Sequence, residues 1–146
     1  MRNKIYNDLY FSGLGDLAIE NGDLKDTVGE DYLRSDYQEL HTIMSSTLGD
    51  WGISPSLGAN LDSFLGRPLT KSTLQDIELN IKNAIFKDSI FALNDVLVGV
   101  IPISDHEIFV RIDLVVAPSL LNSPQDETYK FSFVYDSQSK TQIFLE

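Results

Sequence analysis

Apolar residues recur at helical spacing in the first half of the chain and alternate with polar residues in the second half. Over 30–48 they return every three or four positions, which predicts a helix. The buried stripe of this helix is expected to be Leu33, Tyr37, Leu40, Met44 and Leu48. Gly49 follows the stripe and is expected to end the helix in the left-handed conformation.

Two more helices are predicted further along the chain. A short one covers 57–65 and stops at Gly66 and Pro68, which do not continue a helix. A long one covers 70–91, with Ser72 and Gln75 as a capping box at its start. The face that this helix is expected to bury consists of Leu74, Ile77, Ile81 and Ile85, until Asp88 interrupts it.

The remaining chain follows a period of two, which predicts β-strands. The run "VLVGVIPI" contains Gly99 and Pro102, so we expect a bulge or a strand end there. In "EIFVRIDLVV" and "TYKFSFVYD" every second residue is apolar or aromatic, which predicts two strands that each bury one face. "TQIFLE" is predicted to be a fourth strand, joined to the third through a polar turn at 136–139.

Near the N-terminus, "DLAIENGDLKD" predicts a β-hairpin, because Asn21-Gly22 is a strong two-residue turn signal. The order of a hairpin, two main helices with a short one between them, and a C-terminal antiparallel meander predicts an α+β fold. The 146 residues fit one domain, in which 1–15 is expected to be an N-terminal arm.

The charge balance narrows the choice of partners. The chain has 22 acidic and 11 basic side chains, a net charge of -11. Such a surface repels phosphate backbones and anionic lipids, so we expect neither nucleic acid nor membrane as a partner. With no cysteine, disulfides and thiolate metal sites are excluded. No run of apolar residues predicts a membrane span or a signal peptide, so we expect assembly in a cytoplasm.

Catalytic chemistry finds little support in the sequence. His41 lies beside the helical stripe and His106 in a predicted turn, and neither has a second histidine at metal-ligand spacing. Ser45-Ser46 lack the glycine elbow of a hydrolase serine. Acidic pairs such as Asp105 and Glu107 are interpreted as solvated carboxylates. We therefore predict no catalytic residue, no metal site and no cofactor.

The stretch "TLGDWGISPSLGANLDSFLGRP" combines the only tryptophan with four of the nine glycines. It lacks the lysine and Ser/Thr of a phosphate-binding loop. We interpret it as a rigid docking turn, with Trp51 as either a core aromatic between the helices or a residue partly exposed to a neighbouring subunit. The predicted interface residues here are Trp51, Pro55 and Leu57. The predicted turn residues are Gly49, Gly52, Gly58 and Gly66.

The last predicted strand is expected at a sheet edge. Proteins usually protect such edges with charge, proline or a bulge. The run Gln142, Ile143, Phe144 and Leu145 contains none of these. The strand therefore either completes its own sheet or accepts a strand from another chain by β-augmentation.

The order of these segments resembles the baseplate wedge proteins of contractile phage tails, a family labelled lysozyme-like that includes the baseplate subunit of type VI secretion systems. The matching positions are Gly49-Asp50-Trp51 and Pro55-Ser56-Leu57-Gly58, followed by Leu61, Phe64 and Leu65. Two positions depart from the family pattern: Asp50 replaces the usual glutamate and Leu57 the usual aromatic residue. The Glu-Pro-Arg motif of many members has no counterpart in "FALNDVLV".

The resemblance implies a structural component of the virion tail baseplate, present in several symmetric copies and without enzymatic activity. It would bind other wedge proteins, and extended segments of the tail sheath protein would add to its last strand to start the sheath. Two alternatives from other classes remain. One is a small acidic inhibitor or immunity-type protein that masks a basic partner, and the other is a carbohydrate hydrolase.

Overall fold

The computed structural model describes Leu9 and residues 16–25, 32–64, 66–88, 95–116 and 127–145. The predicted arm 1–15, apart from Leu9, lies outside the described residues, as do Leu65 and Glu146. The α+β fold is confirmed, with a strand pair, two helices and a short 3-10 helix, and a four-stranded antiparallel sheet. The elements are β1 Ile19–Glu20, β2 Asp23–Leu24, α1 Tyr32–Ser45, the 3-10 helix Leu61–Phe64, α2 Lys71–Asp88, β3 Val96–Pro102, β4 Glu107–Val116, β5 Glu127–Asp136 and β6 Thr141–Leu145.

The predicted N-terminal hairpin is confirmed and lies apart from the core. Asn21 and Gly22 both have positive φ, 53° and 83°, as a tight two-residue turn requires. Ile19 then pairs with Leu24. Both side chains are exposed, so the hairpin is held by local backbone pairing.

The large sheet is a meander in which consecutive strands pair, in the order β3-β4-β5-β6. The turn between β5 and β6 is closed by the carboxylate of Asp136, which accepts hydrogen bonds from the Gln138 backbone N–H and the Ser139 hydroxyl. Because each strand pairs only with its sequence neighbours among the described residues, β3 and β6 are the two edges of the sheet in this part of the chain. The predicted edge position of the last strand is therefore confirmed.

The core lies between the helices and one face of this sheet. The sheet contributes alternate residues of β4 and β5, as the period-two pattern predicts: Ile108, Val110, Ile112, Leu114, Phe131, Phe133 and Tyr135. The helices contribute Leu40, Ile43, Met44, Ile77, Ile81, Ala84 and Ile85. Each fully buried aliphatic side chain contributes about 1.5–3 kcal/mol relative to exposure, which is the main source of stability.

The first helix ends earlier than predicted. It stops at Ser45 rather than Leu48, and Leu48 is half exposed rather than part of the buried stripe. The free carbonyl groups at a helix C-terminus need partners, and here one local side-chain bond and one contact from the returning loop supply them. The Ser46 hydroxyl donates to the Thr42 carbonyl over 2.6 Å, and the Ala59 N–H donates to the Ile43 carbonyl over 2.8 Å. Gly49 therefore does not terminate the helix, although its φ of +94° is left-handed.

The second helix begins with a different cap from the predicted one. Thr70 is the capping residue, because its hydroxyl accepts the Thr73 backbone N–H and its carbonyl accepts the Leu74 N–H. Ser72 and Gln75 lie inside the helix and form no capping box. The helix is described to Asp88, and the predicted extension to residue 91 lies outside the described residues.

Two smaller predictions also change. The predicted helix over 57–65 is reduced to the 3-10 helix, which contains Leu61 and Phe64 but not Leu57. No bulge occurs at Gly99, since the pairing of β3 with β4 runs without interruption from Val96 to Pro102. The strand ends at Pro102, which confirms the alternative expectation of a strand end in this run.

Candidate functional site

The glycine loop, residues 46–60 between α1 and the 3-10 helix, is held by hydrogen bonds along its length. The Gly49 N–H donates to the Pro55 carbonyl over 2.8 Å, and the Thr47 N–H donates to Asp50 Oδ2 over 2.8 Å. The Ala59 carbonyl accepts from the Asn80 side chain of α2. These contacts make the loop a fixed part of the fold, consistent with the rigid turn that the sequence predicts.

Gly58 is the position of the glycine loop at which no other residue fits without strain. Its φ is +126°, and a Cβ at this position would lie 2.8 Å from the carbonyl carbon of Ser46. Gly49 and Gly66 have left-handed φ values but open space around the missing Cβ. Gly52 has neither constraint, so the turn role predicted for it does not depend on glycine.

Trp51 lies on the surface of the glycine loop, with 50% of the residue exposed. Its indole Nε1 donates to Ser46 Oγ over 2.9 Å, and the Ser46 hydroxyl in turn donates to Thr42. The interpretation of Trp51 as a core aromatic is therefore wrong. The alternative interpretation, in which Trp51 is partly exposed, agrees with the structure. Leu48, Ile53 and Pro55, which are near Trp51 in the chain, are also exposed, and Leu57 is half buried.

The edge strand β6 has one face on the core and one on the surface. On the inner face, Phe144 lies 5.4 Å from Phe133 and 4.0 Å from His41, measured between ring centroids. Gln142 Nε2 donates to the Met44 carbonyl at the end of α1 over 2.7 Å. On the outer face, Ile143 is 62% exposed and Leu145 is also exposed. Of the four predicted edge residues, two thus anchor the strand and two face outwards.

An apolar row crosses the outer face of the sheet and ends at β6. Strand register places Ile101 opposite Phe109, Phe109 opposite Val134, and Val134 opposite Ile143. Ile101 at the other edge is 60% exposed, and the two central residues are partly exposed. We call these four residues the apolar row. It was not predicted, because it depends on the register of three strand pairs.

The glycine loop and β6 line two adjoining depressions. The β6 cleft, of about 550 Å³, lies between the end of α1, the 3-10 helix and the inner side of β6. A second hollow of about 400 Å³ lies between α1 and Trp51. His41, Ser45 and Ser46 line both. The structure thus brings together the two predicted docking segments, which are about 90 residues apart in the chain.

The polar groups of the β6 cleft centre on Asp62. Its carboxylate accepts from the Tyr135 hydroxyl over 2.8 Å and from Thr47 Oγ1 over 3.5 Å. Burial, and then the hydrogen bond to Asp62, raise the pKa of Tyr135 well above its usual value, so the phenol remains a donor. Partial burial of the imidazole lowers the pKa of His41, which favours its neutral form.

A separate cluster lies at the end of the sheet where β4 begins. His106, Glu107 and Asp136 hold potential ligand atoms within 4.8 Å of one another, a grouping that sequence reasoning missed because strand pairing creates it. Both carboxylates already accept hydrogen bonds, Glu107 from Ser104 and Asp136 from Ser139. The hydrogen bonds that Asp136 accepts from the Ser139 hydroxyl and the Gln138 backbone N–H, followed by the nearby imidazole of His106, lower the pKa of Asp136. Each carboxylate of the cluster thus accepts a hydrogen bond that closes the turn next to it.

Comparison of the chain with known protein families finds no match, and comparison with curated proteins finds none either. The resemblance to baseplate wedge proteins therefore rests on the sequence motifs and on the order of the elements. Among the helices of the described residues, none has the length and apolar character that a membrane span requires.

Proposed function

We propose that this chain is a structural wedge component of a contractile phage tail baseplate, which binds other wedge subunits and helps to initiate the sheath. It acts by protein–protein contact and has no enzymatic activity. The observation that carries the proposal is the apolar row that runs to the unprotected edge strand β6. Contiguous exposed apolar residues mark interaction surfaces in soluble proteins.

The edge and the apolar row support the same kind of contact. A strand added to β6 would satisfy the backbone groups of the edge and would place alternate side chains beside Ile143 and Leu145. The row would then continue into the partner, and water would leave the apolar surface of both chains. This is the contact proposed for an extended segment of the sheath protein.

The glycine loop supports a second contact, with another wedge subunit. Its exposed apolar residues Leu48, Trp51 and Ile53 stand on a backbone fixed by hydrogen bonds to α1 and α2. A rigid aromatic residue loses little conformational entropy on binding, which is why tryptophan is common at the centres of interfaces.

An acidic inhibitor or immunity-type protein remains the second candidate function. The net charge of -11 favours it, since such a surface attracts a basic partner and accelerates association. It gives no role to the exposed apolar row, which is why we place it second.

The proposal is tested by matched substitutions at the two sheet edges. Ile143→Asp and Leu97→Asp each place a carboxylate on an outward-facing edge residue of similar exposure, 62% and 60%. In a phage that carries the gene, we expect Ile143→Asp to give tails without sheath and Leu97→Asp to give sheathed tails by electron microscopy. Sheathed tails from both variants would contradict the proposed docking at β6.

A further inference from the structure

The β6 cleft lies on the inner side of the edge strand, where an added strand would place every second side chain. Gln142 and Phe144 face this side, whereas Ile143, which borders the cleft, is 62% exposed and belongs to the outer face. Residues directly opposite each other in paired strands point to the same face of the sheet. A partner residue opposite Gln142 would therefore reach the cleft, and its neighbour opposite Ile143 would extend the apolar row.

The cleft presents hydrogen-bond acceptors to an incoming side chain. Asp62 accepts two hydrogen bonds, and a carboxylate has room for about four. Gln142 Oε1 is buried and has no hydrogen-bond partner among the described residues. Because the Met44 carbonyl can only accept, the amide nitrogen of Gln142 must face it, which leaves the oxygen for another donor. Because this oxygen is buried, Asp62 is the acceptor that an incoming side chain meets first.

The remaining walls favour a long side chain with a cationic end. Phe144, Met44 and Leu61 give apolar surface for an aliphatic stem. Lys140 also lines the cleft, but Asp62 within it, Asp50 in the adjoining hollow and the net charge of -11 make the surroundings acidic. A donor that carries positive charge therefore fits the site better than a neutral or acidic side chain.

We infer that the segment that docks on β6 carries arginine or lysine opposite Gln142 and an aliphatic residue opposite Ile143. This inference rests on the proposed docking at the β6 edge and specifies the chemistry of the partner. The β6 cleft selects the basic side chain, and the apolar row selects the aliphatic one. Together they define an alternating strand whose two faces differ.

The inference is tested with synthetic peptides and the full chain. The probe is the acetylated and amidated peptide Thr-Val-Arg-Val-Thr, compared with peptides that have norleucine or glutamate in place of arginine. Binding is measured by NMR from the amide shifts of Gln142 to Leu145. We expect the arginine peptide to bind about fivefold more tightly than the norleucine peptide, as one partly exposed ion pair allows, and the glutamate peptide to bind most weakly.

Two variants locate the effect. Asp62→Asn keeps an acceptor for Tyr135 but removes the charge, and it should abolish the preference for arginine. Asp105→Asn removes one charge from an exposed turn outside the cleft and should retain the preference. Equal binding of all three peptides would overturn the inference while leaving docking at β6 intact. Absence of binding by every peptide would overturn both the docking at β6 and the inference. A preference for arginine that survives in Asp62→Asn would also overturn the inference, because the preference would then come from overall charge rather than from the cleft.

Discussion

Gly58 lies directly against the backbone of Ser46, so that a Cβ on Gly58 would overlap the Ser46 carbonyl group. Ser46 follows the last residue of α1, and its hydroxyl receives the indole N–H of Trp51. The close approach therefore fixes where the glycine loop returns to the helix. It also fixes the position from which Trp51 is presented.

We expect Gly58→Ala to lower the free energy of unfolding by about 3 kcal/mol, because it combines an unfavourable positive φ with overlap in a packed site. Gly49→Ala should cost about 1 kcal/mol, since only its φ is unfavourable. Gly52→Ala should change stability by less than about 0.5 kcal/mol. Urea unfolding of the three variants tests this order, and equal midpoints would contradict the described loop geometry.

We expect Ser46→Ala to release Trp51 from the helix end. The substitution removes the acceptor of the indole N–H and should cost about 1 kcal/mol. Because Trp51 is the only tryptophan, its fluorescence reports on the loop directly. Emission should shift to longer wavelength and acrylamide quenching should increase. Ser72→Ala, at an exposed position of α2 outside both depressions, is the control and should leave both signals unchanged.

The imidazole of His41 should titrate below its usual pKa of about 6.5, because burial disfavours the charged form. Protonation then opposes folding. The contribution of His41 to stability is fully present above the unfolded-state pKa and is lost as the pH falls through the lowered folded-state pKa. NMR titration of the His41 ring gives the pKa, and His106→Gln identifies the signal. In Phe144→Ala the pKa should move back towards 6.5, and a value unchanged by that substitution would exclude burial under Phe144 as the cause.

We expect the purified chain to clear a peptidoglycan suspension no faster than buffer. Among the described residues that line the β6 cleft, Asp62 is the one carboxylate, whereas glycoside hydrolysis generally uses a pair of carboxyl groups. Turbidity measurement with a lysozyme control is sufficient. Clearing that is lost on Asp62→Asn or Asp50→Asn would show that the chain is a hydrolase.

The sequence predicts best where a local pattern coincides with burial. The strands follow from the alternation between Ile108 and Leu114, because alternate residues of a strand face the core. The hairpin follows from Asn21-Gly22, because these two residues adopt the positive φ that the turn requires. The end of α1 does not follow from a local pattern. The Ile43 carbonyl accepts from Ala59, 16 residues later, and the Met44 carbonyl accepts from Gln142, 98 residues later.

The candidate site was predicted in pieces. Trp51 stands out as a single tryptophan among glycines, and Ile143 stands out in an unprotected strand. That both regions line adjoining depressions depends on the packing of α1 against β6, including the contact between His41 and Phe144. The apolar row likewise appears only when the register of four strands is known.

The most direct measurement is a cryo-electron microscopy map of the contractile tail from a phage that carries this gene. Our proposal predicts that the chain lies in the baseplate in several symmetric copies, with a strand of the first sheath ring paired to β6 beside Ile143. It further predicts that Trp51 contacts a neighbouring wedge subunit. A tail that lacks the chain, or a baseplate in which the edge of β6 faces solvent, would contradict the proposed role in sheath initiation.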